Sequence, residues 1–220
     1  MTKVIKDMTQ SNEFTKSIES ILRENYVDTA YHTHVSMINP KGKFQFNRQG
    51  LADFWDCYSS SVLDGNKYGI AGKAQTYMPI IVDVDLKLKI NREEYNNKLL
   101  HTIKHIEKLI LIYQTVIKLV VHDYTDQMLI CAILRKDPYT LQSGDITYFK
   151  NGFHLHFPYI FLNKEIQEIH IIPRVKELVN EQQLFKNVYE NSGDAIDKAC
   201  CSVPWLLYGS SKSEDMDSYQ

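Results

Sequence analysis

Strands followed by helices, repeated along 220 residues, predict a mixed α/β domain with a substantial sheet. Two observations carry that prediction. Tyr77-Met78-Pro79-Ile80-Ile81-Val82-Asp83-Val84-Asp85-Leu86-Lys87-Leu88 is an apolar, β-branched run of strand character. Leu99, Leu100, Ile103, Ile106, Leu109, Ile110, Tyr113, Ile117 and Val120 then recur at helical spacing, across a span beginning near Asn91. With 44% hydrophobic residues the chain is long enough to bury a substantial core, as one domain or as one domain with a small subdomain.

Taken in order, Met1 to Asn12 is polar and expected to fray, and Phe14, Ile18, Ile21 and Leu22 mark a short amphipathic helix ending about Tyr26. His32–Met37 and Lys43–Phe46 flank the turn Asn39-Pro40-Lys41-Gly42 and predict a hairpin. Leu51, Phe54, Trp55, Tyr58 and Val62 fit one face of a helix from about Gln49, closed by Gly65 and Asn66. Gly69 and Gly72 predict a mobile connection. Met128–Leu134 reads as a buried strand, Asp137-Pro138 to Gly144-Asp145 as a loop, and the following stretch to Leu162 as two strands. Asn163 to Val179 is helical, with Pro173 breaking or restarting it. Ser210 to Gln220 turns polar and acidic, like a linker.

The net charge of −2 supplies no global basic field, so a nucleic-acid contact needs a local patch. Cys57, Cys131, Cys200 and Cys201 lack Cys-x-x-Cys spacing and are expected to be reduced and packed. There is no secretory leader and no apolar run of membrane-spanning length, so the expectation is a soluble, intracellular protein without a membrane partner.

Three constellations carry chemistry. Side chains of a strand alternate between faces, so Asp83 and Asp85 emerge together while Val82, Val84 and Leu86 pack on the other side. Two carboxylates in one small space repel, and a hard divalent cation such as Mg²⁺ or Mn²⁺ relieves them. The same spacing also serves a solvated sheet edge. In Lys150-Asn151-Gly152-Phe153-His154-Leu155-His156 the same alternation puts Lys150, His154 and His156 on one face, and Gly152 lets a phosphate or base come close to the backbone. Surface histidines on a half-buried strand would show the same pattern. Ile196-Asp197 offers a third carboxylate, and Gly209-Ser210-Ser211-Lys212 a turn whose amides and lysine can hold phosphate oxygens. An ordinary loop aspartate followed by a turn is the alternative.

In that order, Val82-Asp83-Val84-Asp85, Gly152-Phe153-His154 and Ile196-Asp197 resemble the catalytic signature of the archaeo-eukaryotic primase superfamily. The wording around them, including Ser202-Val203-Pro204-Trp205-Leu206-Leu207-Tyr208-Gly209-Ser210-Ser211-Lys212, is similar to the primase domain of the primase-helicases of large nucleocytoplasmic DNA viruses. The resemblance implies an RRM-like catalytic palm, roughly residues 77–212, facing an N-terminal α/β module, roughly 1–76, across a cleft. It implies primer synthesis on single-stranded DNA from nucleoside triphosphates by two-metal-ion nucleotidyl transfer. Asp83, Asp85 and Asp197 would be the catalytic and metal-holding residues; Lys150, Gly152, His154, Ser210 and Lys212 would bind the nucleotide. Many relatives carry an arginine in the strand before the last turn, where Trp205, Leu206 and Leu207 stand here. Arg135, Lys136 and exposed aromatics are the expected template contacts. No Gly-x-x-x-x-Gly-Lys-Ser/Thr loop occurs, so a hexameric helicase module is expected in cis or in trans, with this chain a monomer. The viral likeness would place the protein in the host cytoplasm or a viral factory. Two other readings stay open: His32-Thr33-His34 and His154-Leu155-His156 converging on one transition metal, as in an oxygenase or hydrolase, and a non-catalytic single-stranded-DNA-binding module.

Overall fold

The computed structural model describes residues 16–90 and 99–214. Phe14, the fraying of Met1–Asn12 and the region around Asn91 lie outside them. Two larger cores organise the described residues, with a smaller third cluster of Met78, Ile81, Ile172, Cys200 and Cys201. The first holds Ile18, Ile21 and Leu22 of α1 (Ile18–Glu24) against Phe54 and Tyr58 of α2 (Arg48–Leu63). Both helices open on side-chain caps: Ser17 Oγ accepts the Ser20 amide and Asn47 Oδ1 the Gly50 amide. They pack with a sheet of β1 (Tyr26–Val27), β2 (His34–Ser36), β3 (Gly42–Phe44), β4 (Ile70–Gly72) and β12 (Trp205–Leu206), in the order β1-β3-β2-β4-β12. The segment with Gly69 and Gly72 is therefore a central strand and not a mobile connection. At Gly69 a Cβ would stand 2.6 Å from the Ile38 amide nitrogen, so that glycine permits close backbone approach. The last strand comes from the far end of the chain, whereas the sequence reading assigns Trp205–Lys212 to the second module.

His34 lies inside the first core, 8% exposed, edge-on to Phe46 at 5.1 Å and with Nδ1 2.9 Å from Thr33 Oγ1. Burial lowers its pKa to about 4 from an ordinary 6.5. The folded state thus holds this imidazole neutral while the unfolded chain protonates it. The resulting stability is complete above pH 6.5 and is lost as pH falls toward 4, by about 3 kcal/mol at full protonation. Urea-unfolding midpoints measured across that window are expected to fall steeply for the native chain and less steeply for His34→Phe.

The second core centres on β5 (Tyr77–Val84), β7 (Ala132–Arg135), β10 (Phe153–Asn163) and β11 (Ile196–Asp197), paired antiparallel in the order β11-β5-β10-β7. Numbered along the chain these are fourth, first, third and second. Helix α3 (Ile103–Val120) joins the first to the second, and α5 (Ile172–Glu181) lies between the third and fourth. This is the split β-α-β arrangement of an RRM-like palm. Val82, Val84, Phe153, Leu155 and Phe157 are fully buried and share one core with Ile106, Leu109, Tyr113 and Ile117 of α3 and Val175 and Val179 of α5. The expected alternation around Asp83 and His154 holds.

Several expected elements shift. Helix α3 starts at Ile103, after Leu99 and Leu100, because His105 Nδ1 accepts the Thr102 amide and closes its first turn. Met128–Leu134 splits into a 3₁₀ turn (Asp126–Leu129) and the edge strand β7, whose Ala132 and Ile133 are exposed rather than buried. The expected loop after Asp137 contains β8 (Tyr139–Ser143), which turns at Gly144 into β9 (Ile146–Lys150). With β6 (Lys87–Ile90) these form a three-stranded sheet in the order β6-β9-β8. Lys150 therefore belongs to β9 and not to the strand of His154, since the chain leaves one strand and enters another at Asn151-Gly152. After the short helix α4 (Lys164–Ile166) comes a π-helical turn (Gln167–Ile171); Pro173 then sits in the first turn of α5, where its missing amide is harmless.

Candidate active site

The face of the palm sheet opposite the helices carries the predicted groups. Asp197 pairs across the strands with Asp83, and Asp83 with His154, so the three stand in one row perpendicular to the strands. His154 Nε2 lies 3.5 Å from Asp83 Oδ1. Asp85 follows the end of β5. Its amide donates to the Ala195 carbonyl at 3.1 Å and its carbonyl accepts from Tyr189 Oη at 2.9 Å, which fixes the backbone that presents the carboxylate. Lys150 Nζ reaches Asp85 Oδ2 at 2.9 Å. Burial works against the Lys150 charge, but the bond to Asp85 and the attraction of Asp85 outweigh it, so its pKa is raised and the ammonium persists through neutral pH.

Asp83, Asp85, Asp197, Lys150, Gly152, His154 and Lys212 all border one cleft of about 280 Å³. Its other wall comes from Met37, Trp205 and Leu206, which places the site between the first sheet and the palm. Ser210 is the exception. It is fully buried, its Oγ hydrogen-bonded with Tyr58 Oη and accepting the Ile70 amide, so its hydroxyl serves the fold and Ser211 borders the cleft instead. The amides of Ser210 and Ser211 already donate to the Leu207 and Tyr68 carbonyls, and Lys212 borders the cleft. Gly152 also has a different purpose from the expected one. A Cβ there would lie 2.3 Å from the Val84 carbonyl oxygen, so its bare backbone admits the neighbouring strand end.

Trp205 lies in the apolar strand Trp205–Leu206, and the sequence alone assigns it no role. Its ring lies 4.2 Å from that of His154, tilted by 39°. It joins the two sheets across the cleft; an aromatic residue three places before Tyr208 in the Tyr208-Gly209 turn is the available signal. Cys200 also borders the cleft, and its thiol is held protonated by its interaction with Cys201, by burial and by nearby Asp83 and Asp197. All four cysteines are free; Cys200 and Cys201 are buried, Cys57 and Cys131 partly so.

The three carboxylates are an oxygen-only donor set, which suits a hard divalent cation. Among the described residues, no three His, Cys, Asp or Glu side chains stand ready as a metal site. The bonds that occupy the donors are visible: Asp85 holds Lys150, and Asp197 Oδ1 accepts the Ala199 amide at 2.8 Å. Each of these bonds engages one carboxylate oxygen. The two His-x-His pairs lie in different sheets, His34 in the aromatic core and His154 at the cleft, and give no such cluster either.

An RRM-like palm whose open face carries this Asp, Asp, His and Asp set defines a domain of the archaeo-eukaryotic primase (AEP) class. Residues 33–220 match the family described as the C962R protein N-terminal AEP domain, and the chain belongs to that family. It is 36% identical over 201 residues to the protein named "Putative helicase 121R" of Invertebrate iridescent virus 3, covering 86% of this chain and 20% of that protein. It is 30% identical over 194 residues to "Putative helicase 184R" of Invertebrate iridescent virus 6, covering 82% and 20%. A relative in Acanthamoeba polyphaga mimivirus, "Putative helicase L207/L206", shares 25% over 191 residues, covering 85% and 19%. The chain thus spans about a fifth of the length of the curated relatives it matches. Among the described residues no helix is long and apolar enough to cross a membrane.

Proposed function

We propose that this domain synthesises primers on single-stranded DNA, as the primase part of a viral replication protein that also has a helicase module. The observation that carries the reading is the cross-strand row Asp197-Asp83-His154, with Asp85 and Lys150 beside it in one cleft. Asp83, Asp85 and Asp197 would hold Mg²⁺ or Mn²⁺, which when bound activates the attacking 3′-hydroxyl and neutralises the leaving pyrophosphate. The chain's own groups position the nucleotide: His154, Lys150 and Lys212 point positive or hydrogen-bonding groups at the triphosphate, and Trp205 holds the imidazole from the other wall. The helicase part follows from the relatives' names alone. On this reading the N-terminal module takes in β12, the domain is monomeric, and it works inside the infected host cell.

The test is synthesis of labelled dinucleotides and longer products on unprimed single-stranded DNA with Mg²⁺ or Mn²⁺. Metal-dependent products support the reading. Extension only of a supplied primer would make the domain a polymerase without initiation, and single-stranded-DNA binding without synthesis would make it a binding module.

Lys150 has a separate consequence. Lys150→Met removes one charge-assisted contact to the triphosphate, and nucleotide affinity is expected to fall about tenfold or more. Mn²⁺ binding without nucleotide is expected not to weaken, because the same change frees Asp85. Calorimetry for the nucleotide and electron paramagnetic resonance of free Mn²⁺ check the two halves; a parallel loss of both would contradict the assignment.

A further inference from the structure

The three-stranded sheet β6-β9-β8 has one face committed to the palm core, through Leu88, Ile90 and Phe149. Its opposite face is basic and aromatic. Lys87 pairs with Lys150 and Lys150 with Tyr139; two residues along, Lys89 pairs with Tyr148 and Tyr148 with Leu141. Residues directly opposite in adjacent strands share a face, so the two rows form one surface holding three lysines and two tyrosines. Two contacts agree with that placement: Lys87 Nζ lies 3.9 Å from the centre of the Tyr148 ring, and Lys136 Nζ lies 4.9 Å from that of Tyr139. Lys89 and Leu141 are exposed. The surface runs into the cleft, because Lys136, Tyr139 and Lys150 border both. In a chain of net charge −2 this is a local positive field beside the reaction site.

Ammonium groups alternating with aromatic rings at strand spacing match a chain of phosphates alternating with flat bases. We infer that the outward face of β6, β9 and β8 is the track on which single-stranded nucleic acid lies as it enters the cleft. Lys87 and Lys89 face phosphates, Tyr148 and Tyr139 stack on bases, and Lys150 ends the track at the catalytic carboxylates. The ligand class rests on the primase-type reading; the location rests on the sheet register. Asp83, Asp85, Asp137 and Asp197 border the cleft at the end of the track, where Asp85 is matched by Lys150 and Asp83 also attracts the Lys150 charge.

The experiment is fluorescence anisotropy of a fluorescein-labelled oligothymidylate of about 20 nucleotides, titrated with the native chain and variants over a range of KCl. Lys87→Gln/Lys89→Gln is expected to weaken binding about tenfold or more and to reduce the slope of log K on log[KCl] by about 1.4, the value for two lost contacts to a single strand. Tyr148→Leu is expected to weaken binding about fivefold or more with an unchanged slope. Lys89→Gln alone, a change at an exposed side chain, serves if the double variant does not fold, and is expected to lower the slope by about 0.7. No binding by the native chain, native affinity and slope in the folded variants, or tighter binding of a blunt duplex would overturn the inference. The primase reading fails separately: binding with these variant effects but no synthesis removes that reading and leaves the track, whereas synthesis with unaffected binding removes the track alone.

Discussion

Asp83→Asn is expected to reduce metal-dependent synthesis by at least about 100-fold, the scale on which one preorganised electrostatic group contributes at an active site. Asp83 is the centre of the row: its cross-strand neighbours are Asp197 on one side and His154 on the other. Asparagine keeps the shape and removes the charge. Folding should therefore survive, since Asp83 is half-exposed and the flanking Val82 and Val84 supply the packing. Product yield against Mn²⁺ concentration, beside thermal unfolding, checks this. Near-native yield at saturating metal would remove Asp83 from the reaction. Loss of synthesis with a lowered melting point would leave the result structural, and Asp197→Asn then offers a second reading at the edge of the same row.

Gly152→Ala is expected to cost both stability and synthesis. The added methyl would meet the Val84 carbonyl at 2.3 Å, and that atom is backbone inside the central strand pair. It cannot swing aside as a side chain does, so the strand ends that carry Asp85 and His154 must separate. Overpacking of this kind costs about 1–3 kcal/mol. Gly72→Ala is the control: nothing lies within 4 Å of a Cβ there. Urea unfolding should separate the two variants clearly, and a Gly152→Ala chain as stable as Gly72→Ala would show that the strands yield at little cost.

The palm was legible where its pattern is local. Val82, Val84, Phe153 and Leu155 alternate with polar groups at the period of a strand, and α3 carries an apolar stripe, so their buried faces follow from the sequence. Strand order does not follow, because it is set by contacts between residues far apart in the chain. Tyr139–Ser143 escaped because a solvated hairpin arm with threonine and glutamine has no apolar alternation. The apolar stripe predicts an earlier start for α3 than Ile103 because Leu99 and Leu100 continue it ahead of the capped turn. The carboxylates and His154 reach one cleft, and what sequence could not supply is which side of a residue is filled. Gly152 and Ser210 both look like ligand contacts as letters, and both are occupied by their own chain. Lys150 shows the limit of counting by twos: parity carries no meaning across the break at Asn151-Gly152, yet the lysine arrives at Asp85 from another sheet.

The pairing of β12 with β4 decides how this molecule can be cut. A fragment stopping after the first 76 residues would leave the hydrogen-bonding edge of β4 open to water and to other copies, an invitation to aggregate. It would also lose Ser210, which hydrogen-bonds the Ile70 amide from 140 residues away in sequence and Tyr58 from 152. The chain leaves the first sheet, builds the palm and returns to close the sheet it left. The walls of the cleft are tied together like a clasp whose two ends are one thread.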